Sequence, residues 1–186
     1  MFVSEIISYP ELVAREKANL LKGMNFGIRK AYSIILMSVR RGAPYHDRLD
    51  LDRNLLIYEG HDVHRSAGLD PKKLDQPMTT PRGGVTENGM FFRAAKDAAA
   101  GRRSPERVKV YEKIHRGVWS DKGFFHLVDA DVVERKGRKV FDFFLKPIQE
   151  RTVLPDAELS FNRIIPTEVK VAVWKRDHGK CVSCGA

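Results

Sequence analysis

Two aromatic-rich runs, Phe124-Phe125-His126-Leu127-Val128 and Lys139-Val140-Phe141-Asp142-Phe143-Phe144-Leu145, face each other across Lys136-Gly137-Arg138. Such runs around a tight glycine-containing turn predict an antiparallel hairpin. Further strands are predicted at Ala31-Tyr32-Ser33-Ile34-Ile35-Leu36 and Leu55-Leu56-Ile57-Tyr58, both rich in β-branched and aromatic residues. A fifth runs from Arg107 to Ile114, where Val108 and Val110 alternate with Lys109 and Lys113. Helices sit at the flanks. Ser8 and Glu11 have capping-box spacing around Pro10, and Leu12, Val13, Leu20 and Leu21 recur at helical intervals up to Gly23. Thr86 can cap a second helix ending at Gly101, and Glu168 to His178 reads as a third, stopped by Gly179. Strands that do not alternate with helices predict an α+β, barrel-like domain rather than a doubly wound parallel sheet.

Charge narrows the partner. Lys+Arg minus Asp+Glu is 33 − 24 = +9 over 186 residues, which points to a polyanion. The longest apolar run, Ile34-Ile35-Leu36-Met37, is far short of a membrane span, and the start, Met1-Phe2-Val3-Ser4-Glu5, lacks a secretion-signal layout. Two cysteines cannot build a disulfide scaffold. The expectation is a soluble, cytoplasmic protein. Gln149 to Pro166 carries two prolines and mixed polarity, so the predicted organisation is a domain over 1–148, a linker over 149–165 and a separate element over 166–186.

That last element has a recognisable text. Arg163-Ile-Ile-Pro166 and Val169-Lys-Val-Ala-Val-Trp174-Lys175-Arg176-Asp177-His-Gly179-Lys-Cys181-Val-Ser-Cys184-Gly185 resemble the entry to an HNH endonuclease module. Two thiolates two residues apart supply half of a tetrahedral zinc site, so Cys181 and Cys184 are candidate ligands whose partners would lie downstream. The resemblance implies a chain that stops just inside the nuclease and does not cleave. Structural zinc and a catalytic divalent metal such as Mg are expected only in the full-length protein, and no cofactor in the binding domain.

From about Gly23 to Pro147 the text resembles the SRA (SET- and RING-associated) domain, a reader of modified cytosine in DNA. The resemblance is carried by Ala31–Leu36, by Tyr45-His-Asp47, by Leu56-Ile57-Tyr58-Glu59-Gly60 and by Asp75-Gln76 followed by Asn88-Gly-Met-Phe-Phe. Val108-Lys-Val110 and the Phe124–Leu145 hairpin match its last strands, whereas Trp119-Ser-Asp121-Lys-Gly123 departs from its Tyr-Asp-Gly signature. What the resemblance implies is an SRA-like curved β-barrel with flanking helices, joined by a linker to the first helix of a truncated HNH module. Its partner would be double-stranded DNA carrying 5-methylcytosine or a related 5-modified cytosine, read by base flipping. The full-length protein would be a modification-dependent restriction endonuclease, for which a homodimer is one expected state. No membrane partner is expected.

Site residues follow from that chemistry. A flipped base can stack between aromatic faces, for which Tyr45 and Tyr58 are the candidates. A carboxylate can accept from cytosine N4; Asp47 is the first choice and Asp50 the fallback. Gly42, Ala43 and Pro44 could form an apolar hollow for the methyl group. The Lys22–Gly27 stretch is predicted as a loop, with Met24 or Asn25 as a wedge into the vacated stack. Phosphate contacts are expected from Arg29, Lys30, Arg40, Arg41, Arg65, Lys72 and Lys73. The plainer alternative makes the tyrosines ordinary strand residues and the domain a nonspecific or shape-reading nucleic-acid-binding module without base flipping. His61 and His64 are read as a locally bonded turn, and no metal is assigned there.

Overall fold

The computed structural model describes residues 5–65, 69–148 and 165–180. Its frame is one sheet of eight strands: β1 (Ile6–Ser8), β2 (Met24–Arg29), β3 (Tyr32–Met37), β4 (Arg48–Asp50), β5 (Leu55–Glu59), β6 (Glu106–His115), β7 (Val118–Arg135) and β8 (Arg138–Pro147). The order is β2-β3-β6-β7-β8-β5-β4, with β1 added against β7. All pairings are antiparallel except β3 with β6. The sheet is open rather than a closed barrel, with β2 and β4 at its ends. The predicted hairpin is present but longer. β7 and β8 stay paired to Arg135↔Arg138, and Lys136 (φ 54°) and Gly137 (φ 73°) form a two-residue turn of the kind that matches strand twist.

Three helices flank the sheet: α1 (Tyr9–Glu16), α2 (Glu87–Ala99) and α3 (Thr167–Arg176). The Ser8/Glu11 capping box opens α1 as expected, but Lys17 turns left-handed and ends the helix well before Gly23. Thr86 caps α2 by accepting from the Gly89 N–H. Phe91, Ala94 and Ala95 of α2 pack into the main core with Met24, Ile35, Tyr58, Phe125 and Phe143. A smaller core under α1 gathers Ile7, Leu12, Leu20, Ile34, Tyr111 and Trp119.

One prediction is corrected here. Lys22–Gly27 is not a projecting loop: Met24 and Asn25 lie in β2, paired with Ile35 and Ile34. Met24 is fully buried, and the Asn25 amide donates to the Lys22 carbonyl. Both side chains are buried there, because burial of Met24 in the core outweighs the turn propensity of the two glycines around it.

No helix among the described residues is long and apolar enough to cross a membrane. Cys181, Cys184 and residues 149–164 of the expected linker lie outside the described residues.

α3 docks through a polar seam. Thr167 donates to the Glu112 carboxylate, the Lys122 ammonium pairs with Glu112 at 2.7 Å, and the Lys170 ammonium donates to Ser120 at 3.1 Å. Burial, then the charge of Lys122, pulls Lys170 down to about 7. A lysine depressed in the docked state binds fewer protons than when released, so docking should strengthen as pH rises from about 7 towards 10.5. Lys170→Met removes the buried charge and should slow amide exchange of α3 at pH 7 by roughly tenfold. Faster exchange in the variant would refute this account.

Candidate functional site

A half-open concavity among the described residues has a volume of about 330 Å³, at the lower end of the ~300–1,000 Å³ range of small-ligand sites. Ala43, Pro44, Tyr45 and His46 form one wall, Arg135, Lys136, Arg138 and Val140 of the β7–β8 turn the opposite one, and Glu59 and Lys72 complete the lining. Sequence separation explains the construction. β5 pairs with β8 through Glu59↔Asp142, which brings the end of β5 beside the hairpin tip. The 3-10 turn Pro71–Lys73, capped by Asp70, then presents Lys72 across the mouth.

Tyr45 is the aromatic wall. Its ring stacks on the His61 imidazole (centroids 5.1 Å apart, planes at 19°), and the Lys72 ammonium lies 4.1 Å from its centroid. Burial pushes the Tyr45 hydroxyl up, so it stays protonated. Tyr58 lies deeper, 1% exposed within the core, and its hydroxyl meets His61 Nε2 at 2.8 Å. Burial raises the Tyr58 pKa well above its ordinary value and brings His61 down to about 4, so both are neutral at pH 7. The two tyrosines are thus linked through His61, but only Tyr45 lines the concavity.

Asp47 is also behind the wall. Its two carboxylate oxygens accept from the Ser38 N–H (2.9 Å) and the Glu59 N–H (3.1 Å), tying the loop after β3 to β5. Burial raises its pKa to about 7, against the lowering effect of those two bonds. Asp50 is elsewhere: on β4 it accepts from the Arg53 N–H and does not line the concavity.

A network that sequence reasoning missed frames the site. Arg138 joins Asp62 (2.6 Å) and Glu59 (3.5 Å) and donates to the carbonyls of Pro71 and Leu74. Arg135 pairs with Glu59 at 2.7 Å and with Asp142 at 3.0 Å, while Arg48 holds Asp142 from β4 at 2.7 Å. The Gln76 amide donates to Gly60 and accepts from the Phe141 N–H. Burial alone would raise the Asp62 pKa, but bonds from Lys72, Arg138 and Gln76 hold it below its ordinary value. The Asp75-Gln76 pair is visible in the sequence and Glu59 stands within the Leu56–Gly60 text, whereas nothing local marks the pairing of Glu59 with Arg135 and Arg138.

Of the expected phosphate contacts, Lys72 belongs to the concavity and pairs with Asp62 at 2.7 Å. Lys73 is its exposed neighbour, Arg40 and Arg41 precede the Ala43–His46 wall, and Arg65 is exposed beyond His61. Arg29 and Lys30 stand at the β2–β3 turn. Among the described residues, no three His, Cys, Asp or Glu side chains are grouped as a metal site.

No protein-family model matches the chain, and no curated protein does. Solved structures do. The SRA domain of SUVH5 bound to fully hydroxymethylated CG DNA superposes with a TM-score of 0.55 at 20% identity, over 81% of this chain and 91% of that one. The DNA modification-dependent restriction endonuclease AspBHI matches at 0.51 and 17% identity, over 89% and 74%. The sulfur-binding and SRA domains of ScoMcrA, complexed with phosphorothioated DNA, match at 0.50 and 16%, over 80% and 40%. The likeness establishes the SRA-domain fold.

Proposed function

We propose that this SRA-fold domain binds duplex DNA and reads a 5-modified cytosine, 5-methylcytosine in the first instance, by turning the base out of the helix onto Tyr45. The carrying observation is the half-exposed Tyr45 ring at the mouth of a concavity, with Ala43 and Pro44 beside it and basic residues around it. Extrusion costs a few kcal/mol, and one aromatic stack returns ~1–3 kcal/mol. Burying the methyl group adds about 0.8 kcal/mol, a factor of about four in affinity. Phosphate contacts from Arg40, Arg41, Arg65 and Lys73 carry the remainder. Asp47 supports the site from behind; each carboxylate oxygen retains a further lone pair for cytosine N4 if the base penetrates that far. In a longer protein the domain would direct an HNH nuclease entered through α3, with Cys181 and Cys184 as half of its structural zinc site. The α3 text Val-Trp-Lys-Arg-Asp supports that reading.

The test is a methylated duplex against its unmethylated twin at two salt concentrations. The methylated form should bind at least about fourfold tighter at both, with both affinities falling steeply as salt rises. Tyr45→Ala should remove the preference and cost roughly 5- to 150-fold in affinity for the methylated duplex. Equal affinities of wild type for both duplexes would favour a shape-reading module instead.

A further inference from the structure

The geometry points to His61, which stands behind the concavity rather than in its lining, as a side-chain gate: its imidazole holds a stacking place on Tyr45 in the free protein and yields it to a flipped base that passes through the concavity. This rests on the base-flipping reading above. An imidazole 5.1 Å from the Tyr45 centroid and tilted by only 19° is placed as a stacked base would be. Its edge is satisfied in the same way, because Nε2 meets the Tyr58 hydroxyl at 2.8 Å, and that hydroxyl would otherwise be a buried, unpaired polar group.

The backbone beneath the ring is fixed. Asn88 of α2 accepts from the His61 N–H and donates to the His61 carbonyl, both at 2.8 Å, and Asn88 is itself buried. Motion is therefore confined to the side-chain torsions. Gly23 closes the far side: a Cβ there would lie 2.7 Å from both His61 Nε2 and the Tyr58 hydroxyl oxygen, so the ring cannot retreat in that direction. Its remaining route is outward, towards the half-exposed His61–Val63 segment. Because burial keeps the imidazole neutral at pH 7, displacement moves no charge. The entering base inherits two contacts, the Tyr45 face and the Tyr58 hydroxyl. A base that cannot satisfy that hydroxyl leaves it unpaired, which makes the gate a filter as well as a plug.

The experiment uses a methylated duplex with 2-aminopurine beside the modified cytosine, whose fluorescence rises on unstacking. Wild type should show the rise. His61→Ala should show a larger one, with affinity for the methylated duplex increased about fivefold or more. A variant that folds but binds more weakly would make His61 a wall of the site and overturn the gate. If the variant fails to fold, the wild-type His61 ring resonances decide. They should lose the Tyr45 ring-current shift on addition of methylated duplex and keep it with the unmethylated one; unchanged resonances in both overturn the gate. A wild type that prefers methylated DNA without any fluorescence rise overturns base flipping and the gate together, whereas a normal rise with a static His61 overturns the gate alone.

Discussion

Arg138→Met should lower the unfolding free energy by about 3–5 kcal/mol, the range for removing one partner from a buried ionic group. For a chain of this size that corresponds to a fall in Tm of roughly 6–20 °C. The guanidinium is 7% exposed, and the carboxylates it serves, Glu59 and Asp62, are 4% and 6% exposed. Without it Asp62 keeps Lys72, and Glu59 keeps Arg135. The Pro71 and Leu74 carbonyls lose the donor that fastens the 3-10 turn to the hairpin. Lysine is no substitute, since one ammonium cannot span two carboxylates and two carbonyls as a planar five-donor fork does. Arg102→Met is the control. Its partner Asp97 is 43% exposed, and an exposed pair is worth about 0–1 kcal/mol. Thermal melts of the two variants decide the matter: equal shifts would mean that the network around the concavity is an ordinary surface cluster.

That network also marks the boundary of what the amino-acid order reveals. The β7–β8 hairpin and α2 are legible because their signals are local: Lys136-Gly137 at the turn, Thr86 at the cap. β1 and β4 escape notice because three residues are too few to show alternation, and Arg48-Leu49-Asp50 sits within a polar stretch. Lys22–Gly27 misleads for a physical reason. Gly23 marks a close approach to the Tyr58–His61 pair rather than a turn. At the site, Tyr45 is legible as an aromatic followed by an acid. The pairing of Glu59 with Arg138, 79 residues apart, depends on the register of β5 against β8, which no local pattern encodes. Asp47 is legible in position but not in environment: its two oxygens face backbone donors rather than the concavity.

The pH dependence of stability should be nearly flat between about pH 5 and 6.5 in the wild type, and steep with opposite signs in two variants. Asp47 has a folded pKa of about 7, raised by burial from 3.8. Across the window the folded state keeps this proton while the unfolded chain has lost it. Stability from Asp47 is therefore complete below pH 3.8 and is lost as pH rises towards 7, by about 1.4 kcal/mol per pH unit. His61 behaves in the opposite sense. Burial lowers its pKa from 6.5 to about 4, so the unfolded chain binds the extra proton, and stability rises with pH at the same slope up to 6.5. The charges of Asp62 against Lys72 and Lys22 at His61, and of Glu59 and Glu112 at Asp47, are already contained in those values. Over 1.5 pH units each group contributes about 2 kcal/mol, and the two cancel. His61→Gln removes one side, so its stability should fall by about 2 kcal/mol from pH 5 to 6.5. Asp47→Asn removes the other and should gain about as much over the same interval, from a lower starting value, because its amide can accept from only one of the Ser38 and Glu59 N–H groups. Urea denaturation at four pH values measures all three slopes. Parallel curves would mean that neither buried group keeps its shifted pKa in the folded protein, and with that the closed, dry packing of Asp47, Tyr58 and His61 behind Tyr45 would fail.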